Sequence, residues 1–216
     1  RGFCVIAKPE VSDKSEIFRV EESSGRYSLY LEERLLGRHQ TPELVCELLI
    51  TRCHELVADE LKGFTFVRGA AVCLPTGRAL MLTGGDFSGQ TTLAKALIAA
   101  GATLVSEYFA VVDDDGRAVR YPSVAHQPEA FHVDGVLRLD YKYRSSWQVE
   151  PVSAGRLTLL LMPLASSVNQ QSVTDTMRRL SNLTSTARAG LVGQRGDADE
   201  AAAALLQHLG ALGWGS

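Results

Sequence analysis

Residues 80–92 read Leu80-Met81-Leu82-Thr83-Gly84-Gly85-Asp86-Phe87-Ser88-Gly89-Gln90-Thr91-Thr92, and the fold is decided by how this stretch is read. It keeps the frame of a phosphate-binding loop, G-x-x-x-x-G-K-[ST], but carries Gln90 where the lysine belongs. The context is that of such a loop. An apolar strand precedes it (78–82), and a helix is expected directly after it, from about Gln90 to Ala100. Leu93, Leu97 and Ala100 share one face of that helix, and Gly101 ends it. A further strand begins at Thr103-Leu104-Val105. Gly84 and Gly89 let the backbone turn tightly, so that N–H groups over residues 85–91 aim at an anion in front of the positive end of the helix dipole. Gly84, Gly85, Ser88, Gly89, Gln90, Thr91 and Thr92 are therefore the candidate binding residues. Thr91 supplies the hydroxyl that ligates magnesium in loops of this type. Phe87 is a second departure, a bulky ring where a small residue is usual.

Outward from the loop, the chain is rich in strands: 64–74, 79–83, 103–106, 109–113, 117–121, 136–143, 147–152 and 156–162. Pro75-Thr76-Gly77 and Asp114-Asp115-Gly116 are hairpin connections, so a mixed, partly antiparallel sheet is expected rather than a doubly wound one. Before it, residues 3–7 read as a short strand and Tyr27–Leu31 alternate, a small antiparallel element. Thr41-Pro42-Glu43 opens a helix with a hydroxyl N-cap and proline in its first turn. Leu44, Val45, Leu48, Leu49, Cys53, Leu56, Val57 and Leu61 form its apolar stripe, with His54 at the boundary. The division is 1–62, N-terminal strands plus helix, and 63–216, the loop-bearing part, together one compact unit. A short amphipathic helix over 174–184 carries Arg178 and Arg179. Asp197 caps a last helix whose apolar face is Leu205, Leu206, Leu209 and Leu212.

With 216 residues, 45% of them apolar, and a formal net charge of −3, the chain suffices for one good core and has no global basic character for nucleic acid. No run of 18 apolar residues spans a membrane, and no signal-peptide pattern is read at the start. Cys4, Cys46, Cys53 and Cys73 fit neither a disulfide framework nor a zinc site. They read as reduced, mostly buried small hydrophobes, and the expected compartment is the cytoplasm. Asp113-Asp114-Asp115 before Gly116 reads as a solvated turn. His126 and His132 flank Pro128 in a segment without period, read as a surface loop.

Arg68-Gly69-Ala70-Ala71-Val72 upstream, the loop itself, and Gly101-Ala102-Thr103-Leu104-Val105-Ser106-Glu107-Tyr108 downstream together resemble the HPr kinase/phosphorylase-like family, closest to its HPr-kinase-related branch. Members of that family carry "HGAAV", a loop of the type GPPGSGKST, and "G-x-x-L-L-S-D-[DE]" before a strand ending in Asp-Gly. Gly84, Ser88, Gly89, Thr91, Thr92 and Ser106 fall on matching positions, over a resemblance spanning roughly residues 64–122. It implies an α/β fold of the phosphoenolpyruvate-carboxykinase-like kind, with ATP and Mg²⁺ as ligands. It also implies an acid/base and metal-holding role for the residue at 107, which is Glu107 here. Tyr108 replaces a second acidic residue, Arg68 a histidine and Gln90 the lysine.

Three readings follow. The first is an ATP-dependent phosphotransferase acting on a hydroxyl of a peptide, protein or small molecule, with Glu107 taking the proton, Thr91 and Glu107 on magnesium, and an arginine standing in for the lysine. Arg68 is the leading candidate for that cation, ahead of Lys95, Arg117 and Arg120; Arg178 or Arg179, or an arginine from a second copy in a homo-oligomer, would be others. The second is a catalytically degenerate relative that binds nucleotide, peptide or a partner as an adaptor or regulator. The third is a pocket turned to another reaction on an anionic substrate.

Overall fold

Three strands open the described part of the chain: β1 (Phe18–Ser23), β2 (Arg26–Leu31) and β3 (Arg34–His39) form an antiparallel meander. The computed structural model describes residues 17–85, 87–121, 129–166 and 173–214; the strand expected at 3–7, and His126 with Pro128, lie outside them. The helix α1 (Pro42–Glu60) follows, with Pro42 in its first turn, but Thr41 makes no side-chain cap bond. Its buried stripe is narrower than the pattern of leucines predicts. Val45, Ala58 and the following Leu61 are buried, whereas Leu44 is exposed. His54 is not at the boundary but buried, 3% exposed, because α1 turns that face onto a cluster of aromatic rings.

The hairpin β4 (Thr65–Cys73) and β5 (Ala79–Thr83) is closed where Leu74 N donates to Arg78 O over 2.8 Å. Then come α2 (Gln90–Ala99), β6 (Thr103–Ser106), β7 (Phe109–Val112), β8 (Ala118–Val119), β9 (Ala130–Phe131), β10 (Val133–Tyr141), β11 (Gln148–Pro151), α3 (Ala154–Leu161), β12 (Ala165–Ser166), α4 (Val173–Thr186), β13 (Ala189–Arg195) and α5 (Ala198–Leu209). A final turn ends at the buried Trp214. The second sheet has ten strands in the order β11-β13-β10-β5-β4-β7-β8-β9, with β6 and β12 also paired to β4. β5, β10 and β13 run parallel and the other pairs antiparallel. This is the mixed α/β architecture that the hairpin signals predict. No helix among the described residues is long and apolar enough to cross a membrane.

Alternation along the strands divides the core between two faces of the sheet. Ala70, Val72, Leu80, Leu82, Leu137 and Leu139 meet Leu93 and Leu97 of α2 and Leu205 and Leu209 of α5. Their neighbours Ala71, Met81 and Val136 point the other way, onto Leu157 and Leu161 of α3 and Leu180 and Leu183 of α4. A third cluster ties α1 to this sheet, with Ala58 and Leu61 against Phe66, Phe109, Val111 and Tyr121.

Besides the two-residue strands β9 and β12, two longer elements depart from the sequence reading. Residues 156–162 are not a strand: α3 spans Ala154–Leu161, with Ser153 accepting from Arg156 N at 3.4 Å. Leu157 and Leu161, one helical turn apart, are buried together with Thr158, and a leucine-rich run favours a helix once a cap is present. The strand β13 was not anticipated, since Gly190 and Gly193 weaken its pattern. Parallel pairing to β10 along its whole length holds it in place.

Candidate phosphate-loop site

The loop joins the carboxyl end of β5 to the amino end of α2, as the strand-loop-helix motif requires. Gly89 is the N-cap of α2 with φ +80°, a left-handed conformation that costs a glycine nothing, and no side chain caps the helix. The opening N–H groups of α2 at Gln90, Thr91 and Thr92 have no carbonyl a turn behind them within the helix. At the other end of the loop a Cβ on Gly84 would fall 2.2 Å from Ser88 Oγ and 2.5 Å from Leu139 O. The loop is thus folded tightly over the end of β10.

Within the loop the Ser88 hydroxyl donates to Gln90 Oε1. The amide at the lysine position is therefore engaged inside its own turn. Thr91 is half-buried and Thr92 exposed at the first turn of α2. Phe87 has φ +61° and is 95% exposed, so its ring stands in solvent and does not fill the cradle.

Register across the sheet brings Glu107 towards the loop. Thr83, the last residue of β5, pairs with Gly69 of β4, and Gly69 N donates to Tyr108 O over 3.0 Å. A Cβ at Gly69 would lie 2.1 Å from Leu82 O, so only glycine lets the two strands close up here. Glu107 and Tyr108 form the break between β6 and β7, two strand spacings, about 10 Å, from β5. Tyr108 has φ +69°. Glu107 is half-buried, and beside it the buried Ser106 hydroxyl has no partner among the described residues. No group of three or more His, Cys, Asp or Glu side chains among the described residues is arranged to hold a metal ion.

The arginines named from the sequence are each engaged elsewhere. Arg68 lies 3.7 Å from Glu55 of α1. Arg117 pairs with Asp113 and Asp115, both at 2.9 Å, inside the β7–β8 turn. Arg120 pairs with Glu129 at 2.9 Å and lies over the Phe131 ring. Arg178 and Arg179 both reach Asp114 Oδ1 at 2.7 Å, and Asn182 donates to Asp114 O at 3.0 Å. The acidic triplet is a solvated turn as expected, and it also docks α4. Beside these guanidinium groups the Asp114 carboxyl is held below its usual range, chiefly by its bond to Arg178. Lys95 is exposed on α2, and His132 is exposed at the start of β10.

The residue that does approach the loop is Arg195, at the end of β13. It is 4% exposed, with Nη2 donating to Gly89 O at 3.0 Å and Nη1 to Gly196 O at 2.7 Å. Its Nε is buried without a partner among the described residues. The Tyr141 ring lies 5.1 Å from the guanidinium carbon. Burial lowers the pKa of this guanidinium, far from removing its charge at neutral pH. Sequence reading missed Arg195 because β13 itself was missed. A signal was present: an arginine ends an apolar stretch just before the Asp197 cap, where a strand passes to a helix.

A buried aromatic cluster flanks the site. His54 Nδ1 lies 2.5 Å from Tyr121 Oη, and its ring stacks on Tyr108 at 5.4 Å. Burial lowers the His54 pKa and raises that of Tyr121. The three described cysteines, Cys46, Cys53 and Cys73, are free, and none is fully buried as expected: Cys46 is exposed and the other two are half-buried. Cys4 lies outside the described residues. No protein-family model matches the chain, and no curated protein matches it.

Proposed function

We propose that this protein is an ATP-dependent phosphotransferase of the HPr-kinase-like kind, acting on a hydroxyl of a peptide, protein or small molecule. One observation carries the reading: an uncapped helix N-terminus opens from a tight glycine loop at the end of β5, and Gly69, paired with that strand end, donates to the carbonyl of Tyr108, the residue after Glu107. Backbone N–H groups and a helix dipole hold phosphate oxygens without any side-chain charge. Glu107 is the base that takes the acceptor hydroxyl's proton. Thr91 and Glu107 are the residues that would hold Mg²⁺, which, when bound, neutralises charge on the phosphate oxygens. The Thr91 hydroxyl fits that role by its place in the first turn of α2, and Glu107 by its half-buried place in the break between β6 and β7.

A second reading, a catalytically silent nucleotide-binding adaptor or regulator, is favoured by two specific contacts. Gln90 is tied to Ser88, and Arg68 is drawn to Glu55, so neither replaced residue points its polar group freely at a phosphate. The two readings share nucleotide binding and part at turnover. Thermal unfolding with Mg-ATP, Mg-GTP and no nucleotide tests the shared part, because a ligand at 100 times its Kd stabilises by about 2.7 kcal/mol. No shift with either nucleotide refutes both. ADP formation that is lost in Glu107→Gln supports the first reading, and binding without ADP formation supports the second.

A further inference from the structure

Arg195 is a cation buried with no carboxylate paired to it among the described residues, and that demands an explanation. A buried guanidinium normally has an anion against it, since removing the charge from water costs several kcal/mol that hydrogen bonds to neutral carbonyls only partly offset. Here both neighbours carry positive potential as well. One bond goes to Gly89, the N-cap of α2, and the other to Gly196, the residue before the N-cap Asp197 of α5. Asp197, whose Oδ1 accepts from the N–H groups of Asp199 and Glu200, lies beyond ion-pair distance and raises the guanidinium's pKa by less than burial lowers it. The charge is therefore concentrated at the root of the loop, under an uncapped helix end, and its Nε–H is unsatisfied.

Chain geometry gives the same direction. β13 pairs with β10 up to Arg195 opposite Tyr141, three residues beyond the level at which Arg138 of β10 meets Thr83 of β5. β13 thus runs three residues past the end of β5. Its last side chain arrives under the loop's second glycine, where a Cβ would fall 2.0 Å from Nη2.

We propose that Arg195 supplies from beneath the loop the positive charge that Gln90 does not, and that this charge makes the cradle of Gly84, Gly85 and residues 88–92 selective for a diphosphate or longer phosphate chain. The inference rests on the phosphate-loop reading above. Arg195 is a positioning residue: it holds the Gly89 carbonyl and acts on the anion through the loop. The permanently charged guanidinium does this without an ion pair among the described residues. The shared chemistry is the pyrophosphate group, whether free or carried by a nucleotide.

Isothermal titration of the full chain with pyrophosphate, ADP and adenosine, each with Mg²⁺, separates the possibilities. If the wild type binds none of them, the phosphate-loop reading itself falls. If it binds adenosine as well as ADP, recognition lies in the nucleoside and the Arg195 proposal falls alone. Equal binding of pyrophosphate and ADP assigns the site to free polyphosphate, and tighter ADP binding assigns it to a nucleotide; either supports the proposal. Arg195→Met is then expected to weaken pyrophosphate binding by about tenfold or more, as loss of a nearby charge does. Gln90→Lys in the Arg195→Met background is expected to restore it. A lysine on another element cannot replace a purely structural arginine, so Gln90→Lys is expected to gain more in the Arg195→Met background than in the wild type; equal gains in the two backgrounds, or no loss in Arg195→Met, overturn the proposal. Should Arg195→Met fail to fold, the Arg195 Nε–H resonance of the wild type decides: a saturable shift on adding pyrophosphate is expected, and none would refute the role.

Discussion

Arg195 lies against the α-carbon of Gly89, the guanidinium donating to its carbonyl over 3.0 Å and leaving no room for a side chain. Residues 106 apart in sequence thereby share one corner of the sheet, and the loop's second glycine is required twice. It adopts φ +80°, and it gives the arginine a flat surface.

Gly89→Ala consequently carries two penalties. The left-handed conformation costs a non-glycine residue about 1 kcal/mol or more, and the collision with Nη2 adds to it. A loss of roughly 1–3 kcal/mol is expected in urea unfolding. A variant as stable as the wild type would show that Arg195 does not pack there.

Gln90→Lys places the ammonium of an ordinary phosphate loop back in its frame and breaks the Ser88–Gln90 contact. Nucleotide affinity is expected to rise by about tenfold or more, the worth of a charge-assisted contact to phosphate. Titration calorimetry with Mg-ATP measures it; an unchanged Kd would mean that the position does not face the phosphates.

Glu107→Gln keeps the shape of the side chain and removes its basicity. Turnover is expected to fall by about 10²- to 10⁴-fold, the usual contribution of a general base, with nucleotide binding nearly unchanged. Undiminished ADP formation would remove Glu107 from that role.

The His54–Tyr121 pair gives stability a pH dependence with two limbs. Burial lowers the His54 pKa in the folded state, so below the unfolded value of about 6.5 the unfolded chain binds more protons there. That contribution is complete above about pH 6.5 and is lost as pH falls through the folded value. Burial raises the Tyr121 pKa. Its contribution is complete below the unfolded value of about 10 and is lost as pH rises from there through the folded value. Urea unfolding of wild type and His54→Gln across pH 5–8 checks the acidic limb, which is expected to flatten in the variant.

The two arginines on Asp114 differ in burial, with side-chain exposures of 6% for Arg179 and 47% for Arg178. Arg179→Ala is expected to lower the thermal midpoint more than Arg178→Ala, because the exposed pair is screened by water and salt. The reverse order would show that α4 docks on the β7–β8 turn mainly through Arg178.

The local chemistry of the chain was sufficient for much of this molecule. Two glycines five apart between an apolar strand and a helix specify the loop around Gly84 and Gly89. Hairpin residues at 75–77 and 114–116 specify a mixed sheet, and Asp197 caps the helix that it announces. Short-range conformation sets these features, and each is written within a few consecutive residues. Tertiary packing decided the rest. The Leu157–Leu161 run became a helix against the sheet, and glycine-bearing β13 became a strand through its pairing with β10. His54 was buried by rings from β7 and from Tyr121, and Arg68 was taken by Glu55. Arg195 reached Gly89 because β10 and β13 both run three residues past the end of β5, and the pairing of strands so far apart in the chain is settled only when the sheet assembles.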